Sequence, residues 1–110
     1  MRQVGLALPG VQTAIKYDGS PMLKVRGRFM AGLAAHSSAE PGTLVVRHGL
    51  DEREWLIEDA PATYYLTDYY RRHPVLLVRL ALITPVALHD LLSVSWRLTT
   101  AKDRKQNRSR

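Results

Sequence analysis

Apolar residues alternate with polar residues along much of the first half of the chain, a pattern typical of β-strands that bury one face. The alternation predicts strands at 11–17 and on both sides of a turn within 22–33, and a Val-rich run predicts another strand at 43–47. A short helix is predicted at 1–8, because a Pro-Gly pair follows and ends it. The polar segment 34–42, which closes with another Pro-Gly pair, is predicted to be a loop.

The turn within 22–33 is placed by its apolar residues, which all have odd numbers: Leu23, Val25, Phe29, Ala31 and Leu33. A three-residue loop at 26–28 pairs Val25 with Phe29 and keeps the whole set on one face. A two-residue loop pairs Val25 with Arg28 and breaks the pattern. We therefore predict the three-residue loop, with Gly27 in the left-handed conformation.

A well-marked helix is predicted at 50–59. Asp51 is the predicted N-cap, and Glu54 is its partner in a capping box. Leu50 and Trp55 stand at the positions of a hydrophobic staple. The acidic side chains of the first turn also favour the positive end of the helix dipole.

The C-terminal helix is predicted to begin at Thr84. Threonine is a good N-cap, and Pro85 suits the first helical position. Apolar and small residues then recur at helical spacing: Leu88, Leu91, Leu92, Ser95 and Trp96. No apolar residue follows Ala101, so we predict that 102–110 is a disordered basic tail.

Between these two helices the pattern predicts a short strand at 62–66, a polar and basic connection at 67–74, and a long apolar strand at 75–83. The last strand is apolar on both faces, which indicates a place inside the sheet. The order helix, strands, helix, strands, helix predicts an α+β fold, a curved antiparallel sheet covered by about three helices. We assign 1–101 to this single domain.

The charge is unevenly distributed along the chain. The 110 residues have a formal net charge of +6. Residues 97–110 contain six basic residues and one acidic residue, whereas 1–96 contain ten basic and nine acidic residues. The predicted folded part is therefore nearly neutral, and the basic character belongs to the chain end.

The composition also restricts the chemistry and the cellular setting. The chain has no cysteine, which excludes thiolate catalysis, iron–sulfur clusters and zinc sites built on cysteine. No pair of the four histidines has the i, i+4 spacing of a helical zinc site, and no nucleophile-elbow or phosphate-loop motif occurs. We predict no catalytic residue, no metal and no cofactor. No segment is apolar enough to span a bilayer, so a cytoplasmic protein without membrane contact is predicted.

Three basic groups are candidates for contact with nucleic acid. The first lies on the predicted hairpin and its tip: Lys24, Arg26 and Arg28. The second combines aromatic with basic side chains, which suits base stacking and phosphate contact: Tyr69, Tyr70, Arg71 and Arg72. The third belongs to the tail: Lys102, Arg104 and Lys105. The structural alternatives are a charged hairpin that keeps a sheet edge soluble, tyrosines packed with their hydroxyls outward, and a solvated chain end.

Arg79 interrupts the apolar strand at 75–83. A functional role places it in a pocket or against a phosphate. Because buried arginines are usually paired, we favour an ion pair with an acidic residue of a neighbouring element, for which Glu58 and Asp59 are candidates.

Five segments resemble the MmcQ/YjbR family: 7–11, 19–29, 59–70, 74–80 and 87–98. The most specific are Lys-Val-Arg-Gly-Arg at 24–28 and Pro-Val-Leu-Leu-Val-Arg-Leu at 74–80. The resemblance implies a small single domain of the kind often labelled DNA-binding for a proposed double-wing arrangement, with no established biochemical function and no accepted catalytic residues. Many members have Pro-His-Tyr where this chain has Asp-Tyr-Tyr at 68–70.

Three functions are compatible with these patterns. The preferred one is a module that binds double-stranded DNA with little or no sequence specificity, through the basic hairpin and tail. The second is a protein-interaction domain, including one that forms a homodimer through an exposed sheet face or edge. An enzyme or small-ligand domain with a pocket near Arg79 ranks last, because no catalytic motif supports it.

Overall fold

The computed structural model describes residues 8–16 and 19–108, with side chains as far as Ala101. The elements, in chain order, are β1 (Val11–Ile15), β2 (Pro21–Val25), β3 (Arg28–Leu33), β4 (Thr43–Arg47), α1 (Leu50–Asp59), β5 (Tyr64–Tyr65), α2 (Asp68–Arg71), β6 (Val75–Arg79) and α3 (Pro85–Arg108). The six strands form one antiparallel sheet in the order β1-β2-β3-β4-β6-β5. The predicted α+β class is confirmed. The helix predicted at 1–8 lies almost entirely outside the described residues.

Helices α3 and α1 pack on one face of the sheet, called here the covered face. The strand side chains buried there are Leu23, Val25, Met30, Ala31, Leu44, Val46, Leu76 and Val78. Leu88, Leu91 and Leu92 of α3 meet them, and Leu56 and Ile57 of α1 pack at the margin. Each fully buried aliphatic side chain contributes roughly 1.5–3 kcal/mol, so this layer is the main apolar core.

The opposite face, called here the open face, is covered only in part. Over β4, β6 and β5 it carries a second buried cluster of Val45, Tyr70, Val75 and Leu77, packed under α2 and the loop at 34–42. Cross-strand partners share a face, so the pairs Gln12–Lys24 and Lys24–Phe29 place these three side chains on the open face. They are exposed or only half-buried.

The β2–β3 hairpin differs from the prediction. Val25 pairs with Arg28, so the loop has two residues rather than three. Both loop residues have positive φ, 54° at Arg26 and 75° at Gly27, and two left-handed residues are what the right-handed twist of a tight hairpin requires. Leu23, Val25 and Ala31 still share the covered face, because the register shifts by one residue at Met30, a β-bulge. The prediction that Phe29 shares this face is wrong, since Phe29 pairs with Lys24 and faces the open side.

Helix α1 has the predicted bounds but a different N-cap. Gly49, in extended conformation (φ −67°, ψ 144°), occupies the cap and makes no side-chain cap bond. Asp51 is therefore a first-turn residue, and the predicted assignment of Asp51 as the cap is wrong. A Cβ at position 49 would collide with the carboxylate of Glu52, which folds back over the glycine. The predicted staple is also wrong, because Trp55 is 78% exposed.

The strands flanking α2 are shorter than predicted. The strand predicted at 62–66 is reduced to β5, and β6 ends at Arg79 instead of continuing to 83. The backbone leaves the sheet there because the Leu82 N–H donates to the Arg79 carbonyl, 3.0 Å away, and forms a turn. The connection predicted at 67–74 contains α2, a single helical turn.

Helix α3 begins as predicted, since the Thr84 hydroxyl oxygen accepts the Ala87 N–H at 3.1 Å. Its backbone is helical as far as Arg108, and disorder of the segment 102–110 stays a prediction. The sequence after Ala101 contains good helix formers and no Gly or Pro through 108, so helix propensity favours the continuation beyond Thr100, the last buried residue among those with described side chains. No helix in the described part of the chain is apolar over the length needed to cross a membrane.

Candidate nucleic-acid interface

The hairpin carries its basic residues at three different places. Lys24 lies on the open face, opposite Phe29. Arg26 is exposed at the tip of the turn, and Arg28 begins β3 beside it. A left-handed conformation costs a non-glycine residue roughly 1–2 kcal/mol, so the fold holds Arg26 at the tip against a local preference.

Arg47 extends this basic surface from the end of β4. Its Nε donates to the carbonyl of Phe29 at 3.1 Å, which fixes the guanidinium against the hairpin strand. Burial lowers the pKa of Arg47, and the positive charge of Arg28 lowers this pKa further. Two arginines remote in sequence are therefore close enough in space to repel each other.

Lys16 approaches the same region from the end of β1. Its Nζ donates to the Leu33 carbonyl at 2.6 Å and lies 5.9 Å from the centroid of the Phe29 ring. An ammonium group has three N–H donors, so this anchored lysine retains hydrogens for a further acceptor. Lys16, Lys24 and Arg47 together make one side of the open face basic.

Aromatic rings border this basic region at α2. Thr67 caps the helix by accepting the Tyr70 N–H at 3.4 Å. Tyr69, in the same helical turn, stacks on His36 with ring centroids 3.6 Å apart and an interplanar angle of 9°. Tyr70 is buried beneath them, edge-on to Tyr69 at 5.0 Å. The stacked pair is consequently built on a packed base.

Hydrogen bonds hold His36 in this stack. Its backbone N–H donates to the Tyr70 hydroxyl at 3.2 Å. The Ser38 N–H donates to Nδ1 at 3.1 Å, so Nδ1 is the acceptor and the proton of the neutral ring sits on Nε2. The Ser38 hydroxyl reaches both Nδ1, at 2.8 Å, and the Thr67 hydroxyl, at 2.9 Å. The loop at 34–42 is thereby tied to the cap of α2.

A shallow pocket of about 390 Å³ joins the basic and aromatic parts. It is lined by Lys16, Phe29, Ala35, His36, Val45, Tyr69 and Tyr70. Tyr69 is 44% exposed beside it. A flat aromatic surface next to an anchored ammonium group can stack a nucleobase and contact a phosphate.

Among the described residues, Arg71 and Arg72 do not line this pocket. Arg71 lies 3.6 Å from Glu54 in an exposed ion pair, and Arg72 is exposed at the end of α2. Lys102, Arg104 and Lys105 belong to the helical backbone beyond Ala101, where side chains lie outside the described residues.

Arg79 is an ion-pair residue, as favoured, but its partner is Glu40 and not Glu58 or Asp59. Its Nη2 and Nε donate to the two Glu40 carboxylate oxygens at 2.7 and 3.1 Å. The guanidinium also lies 4.1 Å from the centroid of the Tyr65 ring. The prediction missed Glu40 because this residue lies on the loop before β4, which only the tertiary structure brings to β6.

Sequence reasoning missed Lys16, His36 and Arg47 as members of this surface. Lys16 and Arg47 stand at strand ends, in phase with the open face, and that periodicity was a usable signal. His36 belongs to a polar loop without periodicity, so its stacking on Tyr69 had no sequence signal.

Comparisons of the chain with protein families, curated proteins and solved structures gave no match. The resemblance to the MmcQ/YjbR family thus stays a prediction. Within the described residues, no three acidic or histidine side chains are grouped so that they could hold a metal ion.

Proposed function

We propose that the protein binds nucleic acid across the open face, with phosphates on the basic side chains and one base at the Tyr69–His36 stack. The observation that carries this proposal is the pocket that places Lys16 and Phe29 beside Tyr69. Lys24 and Arg47 extend the positive charge from that pocket toward the hairpin. Phosphate contacts supply affinity, and aromatic stacking supplies a preference for exposed bases.

The electrostatics of the hairpin end favour an anion. Burial is the main cause of the lowered pKa of Arg47, and the positive charge of Arg28 lowers this pKa further, so the two guanidinium groups repel each other. A phosphate group placed near both guanidinium groups removes that repulsion and accepts charge-assisted hydrogen bonds. Arginine donors in a planar fork are well suited to this geometry.

The aromatic stack favours an unpaired base over a duplex. Tyr69 is exposed beside a shallow pocket, and His36 already covers one side of its ring. Bases inside a duplex are stacked on their neighbours and cannot reach such a ring without distortion. The proposal therefore departs from the double-stranded DNA predicted from the sequence and favours single strands, with the hairpin contacting the backbone.

The test is fluorescence anisotropy with a labelled 12-nucleotide single strand and the matching duplex, at several salt concentrations. Tyr69→Ala should weaken single-strand binding by roughly 5- to 150-fold, corresponding to about 1–3 kcal/mol of stacking, while Tyr69→Phe should retain it. Lys24→Gln should reduce the salt slope by about 0.7, the value of one phosphate contact on a single strand.

Arg97→Gln is the matched charge control, because it removes one positive charge from α3, on the covered side of the sheet. It should leave the affinity nearly unchanged. If binding disappears when 102–110 are removed, while Tyr69→Ala and Lys24→Gln match the parent, the affinity belongs to the basic chain end and the open face has no role. Tighter binding of the duplex than of the single strand would favour the double-stranded DNA binding that was predicted from the sequence.

Self-association is the second candidate function. In the described part of the chain β1 is an edge strand, and its Ile15 is 70% exposed. An edge strand presents unpaired backbone groups that can pair with the same strand of a second copy. Light scattering over a range of protein concentrations tests this candidate. A molar mass equal to that of one chain at every concentration would exclude self-association.

A further inference from the structure

Helices α1 and α3 enclose a groove of about 390 Å³ at the margin of the covered face. Its walls include Leu56, Leu91 and Val94, and its aromatic residues are Trp55 and Tyr64. This volume lies in the range of small-molecule sites. The groove is separate from the open face, so its occupant is independent of the proposed nucleic-acid binding.

A buried histidine supplies an unused acceptor in this groove. His48 lines it and is 4% exposed. Its Nδ1 lies 3.2 Å from the Gly49 carbonyl, and a carbonyl only accepts, so Nδ1 carries the proton and Nε2 of the neutral ring presents a lone pair.

Among the described residues Nε2 of His48 has no hydrogen-bond partner. The buried ring lines the groove. A ligand with an N–H donor would satisfy this atom.

Two carboxylates give the groove a negative rim. Glu52 comes from α1 and Asp90 from α3, and no lysine or arginine among the described residues lines the groove. The described partner of Asp90 is His89, at 3.6 Å. Helix α1 also carries five of the ten acidic residues of the chain, so the surrounding potential attracts cations.

These features specify one ligand class. The faces of tryptophan and tyrosine rings attract organic cations, the rim neutralises positive charge, and the apolar walls accept a hydrocarbon body. We propose that the groove between α1 and α3 binds a primary ammonium compound with an aromatic or branched apolar body, its N–H groups directed to His48 and the carboxylates.

The test uses three compounds of similar size that differ in charge: 2-phenylethylamine, 2-phenylethanol and 3-phenylpropionate. Each is titrated into the full chain at pH 7.5, and the indole N–H signals of the two tryptophans are followed by NMR. The amine should shift the Trp55 signal and bind about tenfold more tightly than the alcohol, a ratio that corresponds to one well-placed charge contact. The propionate should not bind.

Trp96 is the internal control, because its indole N–H donates to the Pro9 carbonyl at 2.8 Å and lies outside the groove. Its signal should stay in place. Glu52→Gln and Asp90→Asn should each weaken the amine several-fold and leave the alcohol unchanged. Asp51→Asn removes the same charge from α1 at a position that does not line the groove, so it should have little effect.

Three results would overturn the proposal. Equal affinity for amine and alcohol would identify an apolar groove without cation recognition. An equal loss in Asp51→Asn and Glu52→Gln would assign the effect to the general potential of α1. A Trp55 signal that shifts with protein concentration but not with added amine would indicate that a second copy of the chain, and not an ammonium compound, binds in the groove.

Discussion

Arg53 is the residue whose environment departs most from its sequence context. It stands among the acidic residues of α1, yet it is 5% exposed. Its guanidinium donates to the carbonyls of Arg71, His73 and Val75 at 2.7–2.9 Å. Burial lowers the pKa of Arg53, but an arginine stays protonated in proteins. The side chain therefore fixes α1 to the connection between α2 and β6.

Arg53→Ala should lower the free energy of unfolding by about 3 kcal/mol, because three backbone carbonyls lose charged donors and a part-buried region loses packing. Urea denaturation measures this loss. Arg53→Lys is the matched variant, since it keeps the charge but cannot serve three acceptors with one planar group, and it should recover part of the stability. A midpoint for Arg53→Ala equal to that of the parent would contradict this role.

The pair of Arg79 and Glu40 makes stability depend on pH in the acid range. The hydrogen bond from Arg79 holds the pKa of Glu40 below its ordinary value. A depressed carboxyl pKa contributes stability that is present above the unfolded-state pKa and is lost as pH falls through the folded-state pKa. Glu40→Gln should thus lower the melting temperature at pH 7 and converge with the parent at strongly acid pH, as followed by circular dichroism.

Asp68→Asn is a control for Glu40→Gln, since Asp68 is an exposed carboxylate at the start of α2. Its difference from the parent should be small and should vary little across the same pH range. A difference for Glu40→Gln that stays constant down to strongly acid pH would contradict a contribution from the ionised carboxyl.

At the scale of elements, the bulge in β3 reconciles the turn with the sheet. A two-residue loop shifts the phase of β3 by one residue, and the extra residue at Met30 shifts it back, so that Leu23 and Ala31 again face the same side. The bulge leaves the Met30 carbonyl outside the regular ladder. Ser95 of α3 donates its hydroxyl to that carbonyl at 2.9 Å, in a fully buried position.

Ser95→Ala should lower stability by about 1–2 kcal/mol, because it leaves a buried carbonyl without its donor. Ser93→Ala is the matched control on the same helix: its hydroxyl donates to the His89 carbonyl in an exposed position, so its loss should cost less than about 0.5 kcal/mol. Thermal melts of the two variants give the comparison. Equal losses would show that Ser95 acts through helix propensity and not through the bulge.

At the scale of the whole molecule, opposite charges lie in different places. Five of the ten acidic residues are on α1, beside the groove of the covered face. Lys16, Lys24 and Arg47 are on the open face, and the chain end adds further basic residues. The folded part therefore has a low net charge but an acidic region at α1 and a basic region on the open face. The separation of these two regions is visible only in the three-dimensional structure.

Removing 102–110 should separate the charge of the chain end from that of the fold. The segment has five basic residues and one acidic residue, so the formal net charge drops from +6 to +2. The sequence contains no apolar residue there, so the melting temperature should change by no more than a surface substitution would, about 0.5 kcal/mol in stability. Single-strand binding should weaken but keep its sensitivity to Tyr69→Ala. A large loss of stability would mean that the segment packs on the domain.

The strongest local signals predicted individual elements correctly. The Val-rich run placed β4 at its observed bounds, helical spacing and the Thr-Pro start placed α3, and α1 has the predicted range. These succeeded because each depends on neighbours within one element. The predictions for the hairpin loop and for the N-cap of α1 were wrong. A β-bulge lets a two-residue loop replace the predicted three-residue loop, and Gly49, with the Glu52 carboxylate folded over it, occupies the N-cap in place of Asp51.

The sequence by itself determined the class of fold, the apolar layers and the presence of basic and aromatic groups, because burial and charge are properties of residues and their spacing. The tertiary structure alone decided which groups meet. His36 stacks on Tyr69, Glu40 reaches Arg79, and Arg53 is buried. In each case the partners come from segments far apart in the chain, and pairing between distant segments leaves no periodic trace in a single sequence.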